Sequence, residues 1–90
     1  MAYRLEIARR MGKAMARFPR QDQARILVAI KELANDPRPE GCVSVKNAPP
    51  GTYRMRVGDY RVIYTVLDDE QVIVVARVAR RGESTHRALG

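Results

Sequence analysis

The 90-residue chain carries 17 Lys+Arg, 10 Asp+Glu and one His, a formal net charge of +7, and is 46% hydrophobic. That length leaves no room for a cofactor domain beside a substrate domain, so residues 1–90 are expected to form a single domain, and the hydrophobic fraction excludes a basic disordered tail. The single cysteine, Cys42, excludes an internal disulfide and a cysteine-built zinc site and fits a reducing, cytoplasmic compartment, and no apolar run approaches the roughly 20 residues of a membrane helix.

Tyr3 to Ile7 alternates apolar and polar and reads as a short strand burying Tyr3, Leu5 and Ile7. From about Ala8 to Phe18, Met11, Ala14, Met15 and Phe18 recur at helical steps, and Pro19 stops that helix. A second helix is expected from about Arg20 to Asn35, with Ala24, Leu27, Ile30, Leu33 and Ala34 on one stripe and Asp36-Pro37 ending it. Asp36 to Gly51, rich in Pro and Gly, reads as an irregular connection with room for a short extended piece at Cys42 to Val45. The period then changes to two. Thr52 to Val57, Tyr60 to Leu67 and Gln71 to Val78 read as strands joined by turns at Gly58-Asp59 and Asp68-Asp69-Glu70, and a polar tail runs from Arg80 to Gly90 as a short helix or arm. The order β-α-α-β-β-β predicts an α+β fold: a helical hairpin packed on a mainly antiparallel four-stranded sheet.

Fourteen of the 17 cations are arginines, whose planar fork suits bidentate capture of phosphate, so a polyanionic partner is expected. If Gly58-Asp59 is a two-residue turn, Arg56 faces Arg61 and Arg54 faces Ile63. Tyr53, Met55, Val57, Tyr60, Val62 and Tyr64 then share the core face, while Arg54, Arg56 and Arg61 share the other. Like charges directly opposite destabilise a sheet, so folding alone gives no reason for this arrangement. A solvated polar face is the plain alternative, but such faces usually mix signs, and here the only acid between Arg54 and Tyr64 is Asp59 in the turn. Arg77, Arg80 and Arg81 end the last strand and extend the cluster. The parity of Arg77 stays open because the last hairpin loop holds either two or four residues.

Arginine stabilises a charged transition state but does not serve as a general base. His86 has the one side chain whose ordinary pKa lies near neutrality, and Glu83 and Lys46 are the other candidates for proton transfer. A solvated bystander histidine remains the plain alternative for His86. No phosphate-binding glycine loop, paired carboxylates or Cys/His metal spacing is present, so neither cofactor nor metal is expected, and Asp68-Asp69-Glu70 reads as a solvated turn.

The stretch Tyr53-Arg54-x-Arg56-x-Gly58-Asp59-Tyr60-Arg61-x-x-Tyr64, with the strand after it, resembles the C-terminal sheet of the RelE/ParE toxin superfamily, and its RelE branch more closely. The early Tyr-Arg-Leu-Glu-Ile strand, the two helices and Asp36-Pro37-Arg38-Pro39 extend the likeness over nearly the whole chain. The resemblance implies a toxin of a type II toxin–antitoxin pair that cuts mRNA in the A site of the 70S ribosome, touching 16S rRNA and needing no metal. It implies catalytic roles for Arg54, Arg56, Arg61 and Arg81; Lys46, Arg77, Arg80 and Arg87 are expected to contact RNA beside them. It also implies an acidic cognate antitoxin, through which the pair binds operator DNA, and no membrane partner. The tyrosine usual near the family's C-terminus is missing from Arg81 to Arg87, and His86 is its nearest replacement. The other reading is a ParE-like inhibitor of DNA gyrase that acts by binding alone.

Overall fold

A computed structural model of the chain describes residues 2–80. The elements are β1 (Arg4–Ile7), α1 (Arg9–Met15), α2 (Arg20–Leu33), β2 (Val43–Ser44), β3 (Thr52–Val57), β4 (Tyr60–Leu67) and β5 (Val72–Arg80). The strands form one sheet in the order β1-β5-β4-β3-β2, with β1 parallel to β5 and every other pair antiparallel. The expected two helices on a mainly antiparallel sheet are therefore present. The extended piece between Cys42 and Val45 adds a fifth strand, two residues long, along the edge of β3. The tail expected after Arg80, with Arg81, Glu83, His86 and Arg87, lies outside the described residues.

The core is a single layer of side chains between the helices and one face of the sheet. Met11 and Met15 come from α1, and Ile26, Ile30 and Leu33 from α2. They meet Met55, Val57, Tyr60, Val62, Tyr64, Val66, Ile73, Val75 and Val78. Two sequence expectations are corrected here. The α2 stripe is Ile26, Ile30 and Leu33, while Ala24 and Leu27 point outward. Residues 26–30 are apolar without a break, so periodicity alone fits more than one stripe, and the facing sheet selects among them. Ile7, expected in the core, is 46% exposed, because it ends an edge strand that pairs on one side only.

Tyrosine hydroxyls tie the connections to this layer. Tyr60, whose ring lies 4.6 Å from that of Phe18, donates to Asp22 Oδ2 at 2.7 Å, which fixes the start of α2 against the start of β4. That bond to a carboxylate raises the pKa of Tyr60. The buried Tyr64 donates to the Pro37 carbonyl at 2.8 Å and so holds the segment after α2; burial pushes its pKa up as well. Asp68 then collects partners from distant parts of the chain. Its Oδ1 accepts from the Tyr3 hydroxyl and its Oδ2 from the Arg38 guanidinium, each at 2.7 Å. Arg38 also donates through Nε to the Tyr53 hydroxyl at 3.0 Å. The Tyr3 and Arg38 bonds hold the Asp68 carboxyl below its ordinary pKa, and the same Asp68 bond raises Tyr3. Asp68 is thus a structural anchor as well as a turn residue.

One glycine is required by close approach. Gly51 sits at φ +86°, and a Cβ there would lie 2.7 Å from the Val66 carbonyl oxygen. The Val66 N–H donates to the Gly51 carbonyl at 2.8 Å, so this contact sets where β3 begins against β4.

Candidate functional site

The arginine face is built by one turn and one bulge. Gly58 has φ +59° and Asp59 a negative φ, the pattern of a two-residue type II′ hairpin in which glycine leads. The register follows: Val57 faces Tyr60, Arg56 faces Arg61, Met55 faces Val62 and Arg54 faces Ile63, as the strand parity predicts. Met55, Val57, Tyr60, Val62 and Tyr64 are buried, Arg56 and Arg61 are exposed, and Arg54 is partly exposed on the face away from the helices.

The parity of Arg77 is settled by an irregularity in β5. Ile63 pairs with Arg77, but the next β4 residue, Tyr64, pairs with Val75, so Ala76 is the extra residue of a β-bulge. Before the bulge Ile73 and Val75 face the core; after it Val78 does, and Arg77 turns to the open face. Without that extra residue the alternation would carry Arg77 inward. The last loop holds four residues, 68–71, which decides the other open question about this hairpin.

Two rows of side chains result. One runs Val43, Arg54, Ile63, Arg77 across β2, β3, β4 and β5; the next runs Arg56, Arg61, Ala79. Beyond the first row lie Thr52 and Thr65, whose hydroxyls bond to each other at 2.9 Å. The other expected contacts are not in these rows. Arg80 pairs with Tyr60, which puts it on the helix-bearing side of the sheet, at the strand's end. Lys46 is exposed in the connection after β2, at the edge of the sheet. Arg81, His86, Glu83 and Arg87 fall outside the described residues.

The electrostatics favour the open face as an anion site. Arg4–Glu6 and Arg38–Asp68 are ion pairs, and neither involves Arg54, Arg56, Arg61 or Arg77. Between α2 and β3 the sign reverses. A cleft of about 640 Å³ between the end of α2 and β3 has Leu33 and Met55 among its lining, with Glu32, Asp36 and Glu40 around them and Arg56 at its margin. Anions are repelled there and drawn to the sheet. Four guanidinium groups on two adjacent rows can grip consecutive phosphates and offset charge gathering on one of them.

Known proteins share this architecture. Residues 5–85 match the family described as the ParE toxin of the type II toxin-antitoxin system parDE. The chain belongs to the RelE/ParE superfamily of type II toxins. Among relatives of this toxin, the candidate toxin RelE1 of Methanocaldococcus jannaschii is 29% identical over 83 residues, 90% of this chain and 92% of that protein. The crystal structure of the archaeal RelE–RelB complex from Pyrococcus horikoshii OT3 contains a chain 31% identical with a TM-score of 0.81, covering 92% of this toxin and 99% of that chain. The isolated E. coli RelE toxin, at 24% identity, shares the fold with a TM-score of 0.74 over 98% of this toxin and 96% of that chain.

The arginines of this toxin's β3–β4 hairpin are legible in the sequence, but the Asp68 network and the bulge that turns Arg77 outward are not. Asp68 and Arg38 gave no signal, because their partners are 65 and 30 residues away along the chain. The Ala76 bulge gave none either, since β-branched residues at positions 72–75 satisfy both parities.

Proposed function

We propose that this toxin is a ribosome-dependent endoribonuclease that cuts mRNA in the A site and so stops translation. The observation that carries the reading is the Arg56–Arg61 cross-strand pair, with Arg54 and Arg77 on the same face and no acid in either row. A sheet accepts such a repulsive pair at some cost in stability, and binding a polyanion returns that cost as affinity.

In the mechanism, the RNA 2′-oxygen attacks the adjacent phosphorus and gives its proton to a base. The bond from phosphorus to the 5′-oxygen breaks and that oxygen takes up a proton, leaving a 2′,3′-cyclic phosphate and a 5′-hydroxyl. Arg61 stabilises the charge on the phosphate in the transition state. Arg54 and Arg56 hold the flanking RNA and support the base step, and Arg81 assists the leaving group. Arginine remains protonated throughout, so proton transfer falls to His86, with Glu83 and Lys46 as the other candidates. No metal is assigned a step. Arg77 extends the RNA contact, and Arg80, Lys46 and Arg87 act at its margins, against mRNA or 16S rRNA.

An unchecked toxin of this kind halts its own cell, so a cognate antitoxin is part of the proposal. The structure from Pyrococcus horikoshii is a RelE–RelB complex, and E. coli RelE and RelB also form one. An acidic antitoxin segment that folds on binding fits a partner of net charge +7, and operator DNA is reached through that antitoxin in the cytoplasm.

Primer extension on mRNA in translating ribosomes, with naked mRNA as control, tests the reading. Cuts between the second and third bases of the A-site codon, and none on naked mRNA, are expected. Gyrase-dependent DNA breaks without RNA cuts would overturn it in favour of a gyrase-binding toxin.

A further inference from the structure

Ile63 is an apolar side chain set in the middle of the arginine face. Arg54 and Arg77 flank it on the neighbouring strands, Arg61 precedes it by two residues on its own strand, and Thr65 follows by two. With strands about 4.8 Å apart and like-facing residues about 6.8 Å apart along a strand, three guanidinium-bearing residues surround it within one side-chain length. It is partly exposed, and so is Arg77, which the Ala76 bulge brings beside it. A site that only gathered phosphate would be served as well by a polar residue at this position.

We infer that Ile63 is the base-contacting residue of this face: the arginines take the phosphates of a single-stranded RNA, and the face of one base lies against the Ile63 side chain. This rests on the nucleic-acid reading above and assigns to it a residue that no charge argument selects. The neighbouring hydroxyls of Thr52 and Thr65 bond to each other. An aliphatic side chain makes no hydrogen bond, so the contact assigned to Ile63 is with the flat face of the base and not its edge, and it is tolerant of sequence. Nucleotides pair an anion with an apolar face at this spacing, and arginine's fork matches phosphate oxygens in the way the surrounding side chains require.

The test is equilibrium binding of the full chain to a short oligouridylate, to an oligoadenylate and to inorganic polyphosphate, which has the charge but no bases. Ile63→Thr, which keeps the β-branch, is expected to weaken both oligonucleotides about four- to fifteenfold, the worth of one to two buried methylene groups, and to leave polyphosphate binding unchanged. The slope of log affinity against log salt stays the same, because no phosphate contact is lost. Arg77→Gln weakens all three ligands and lowers that slope. Ile63→Val, a milder change that preserves the strand, gives a smaller loss on the oligonucleotides alone and keeps the test decisive if the threonine variant fails to fold.

Equal losses on RNA and polyphosphate, or no loss on RNA, overturn the assignment while leaving RNA binding by the arginines intact. An acidic peptide of alternating Glu and Leu is measured as a control, and a loss confined to it also overturns the assignment and makes Ile63 a protein contact. Absence of any RNA binding by the unaltered chain overturns this inference, while the nuclease reading stands or falls on the ribosome assay above.

Discussion

Arg56 stands directly across from Arg61 on the open face of the β3–β4 hairpin, and among the described residues neither joins an ion pair. A like-charged pair in that position costs about 0.2–1 kcal/mol. Arg56→Gln should therefore raise the unfolding free energy by that amount while reducing RNA cleavage. Urea denaturation checks the first half: the midpoint rises and the m-value holds. A less stable variant would mean that Arg56 has a structural role in the free protein.

The Asp68 anchor makes part of the stability depend on acid. Its carboxyl titrates below its ordinary value, so the stabilisation is present above the unfolded pKa, about 4, and is lost as pH falls through the lower folded value. Asp68→Asn should be less stable than the unaltered chain at neutral pH, and the gap should close on acidification below about pH 4. Thermal melts from pH 3 to 7 read this directly. A gap that persists unchanged at the acid end would assign the loss to packing and not to charge. Tyr3 works in the opposite sense: its raised pKa means stability held below about pH 10 and lost as pH rises through the folded value.

Gly51→Ala should be strongly destabilising, by about 1–3 kcal/mol from the positive φ alone, with the clash against the Val66 carbonyl adding to it. Gly41, also at positive φ but with nothing near its would-be Cβ, is the matched control and should lose less. Chemical denaturation of the two variants side by side checks the order.

The fold and its site differed in how legible they were from sequence. The β3–β4 register could be read because Gly58-Asp59 admits few turns, and a two-residue turn sets every pair in the hairpin. The last strand could not be read in the same way. Its residues suit either face, and only the packing of Val78 into the core shows that Ala76 is the extra residue. The stripe of α2 was obscured by the unbroken apolar run 26–30, where the sheet and not the period decides. The Tyr3–Asp68–Arg38–Tyr53 network joins four separate stretches of chain, and no local pattern announces it.

His86→Ala should cut ribosome-dependent cleavage by about two to four decades, the usual loss on removing an acid–base group. Binding of uncleaved RNA should change far less, so the comparison of single-turnover cleavage with RNA affinity isolates the proton-transfer role. Near-normal cleavage would take His86 out of the mechanism and leave Glu83→Gln and Lys46→Ala as the next variants.

The proposed nuclease activity belongs to the open sheet face and not to positive charge in general. Arg61→Ala and Arg17→Ala remove one charge each, the first from the centre of that face and the second from an exposed position between the two helices. Single-turnover cleavage of mRNA on programmed ribosomes should fall about a hundred- to a thousandfold for Arg61→Ala, the worth of one transition-state donor, and stay near the unaltered rate for Arg17→Ala. Equal losses in the two variants, or undiminished cutting by Arg61→Ala, would contradict the account.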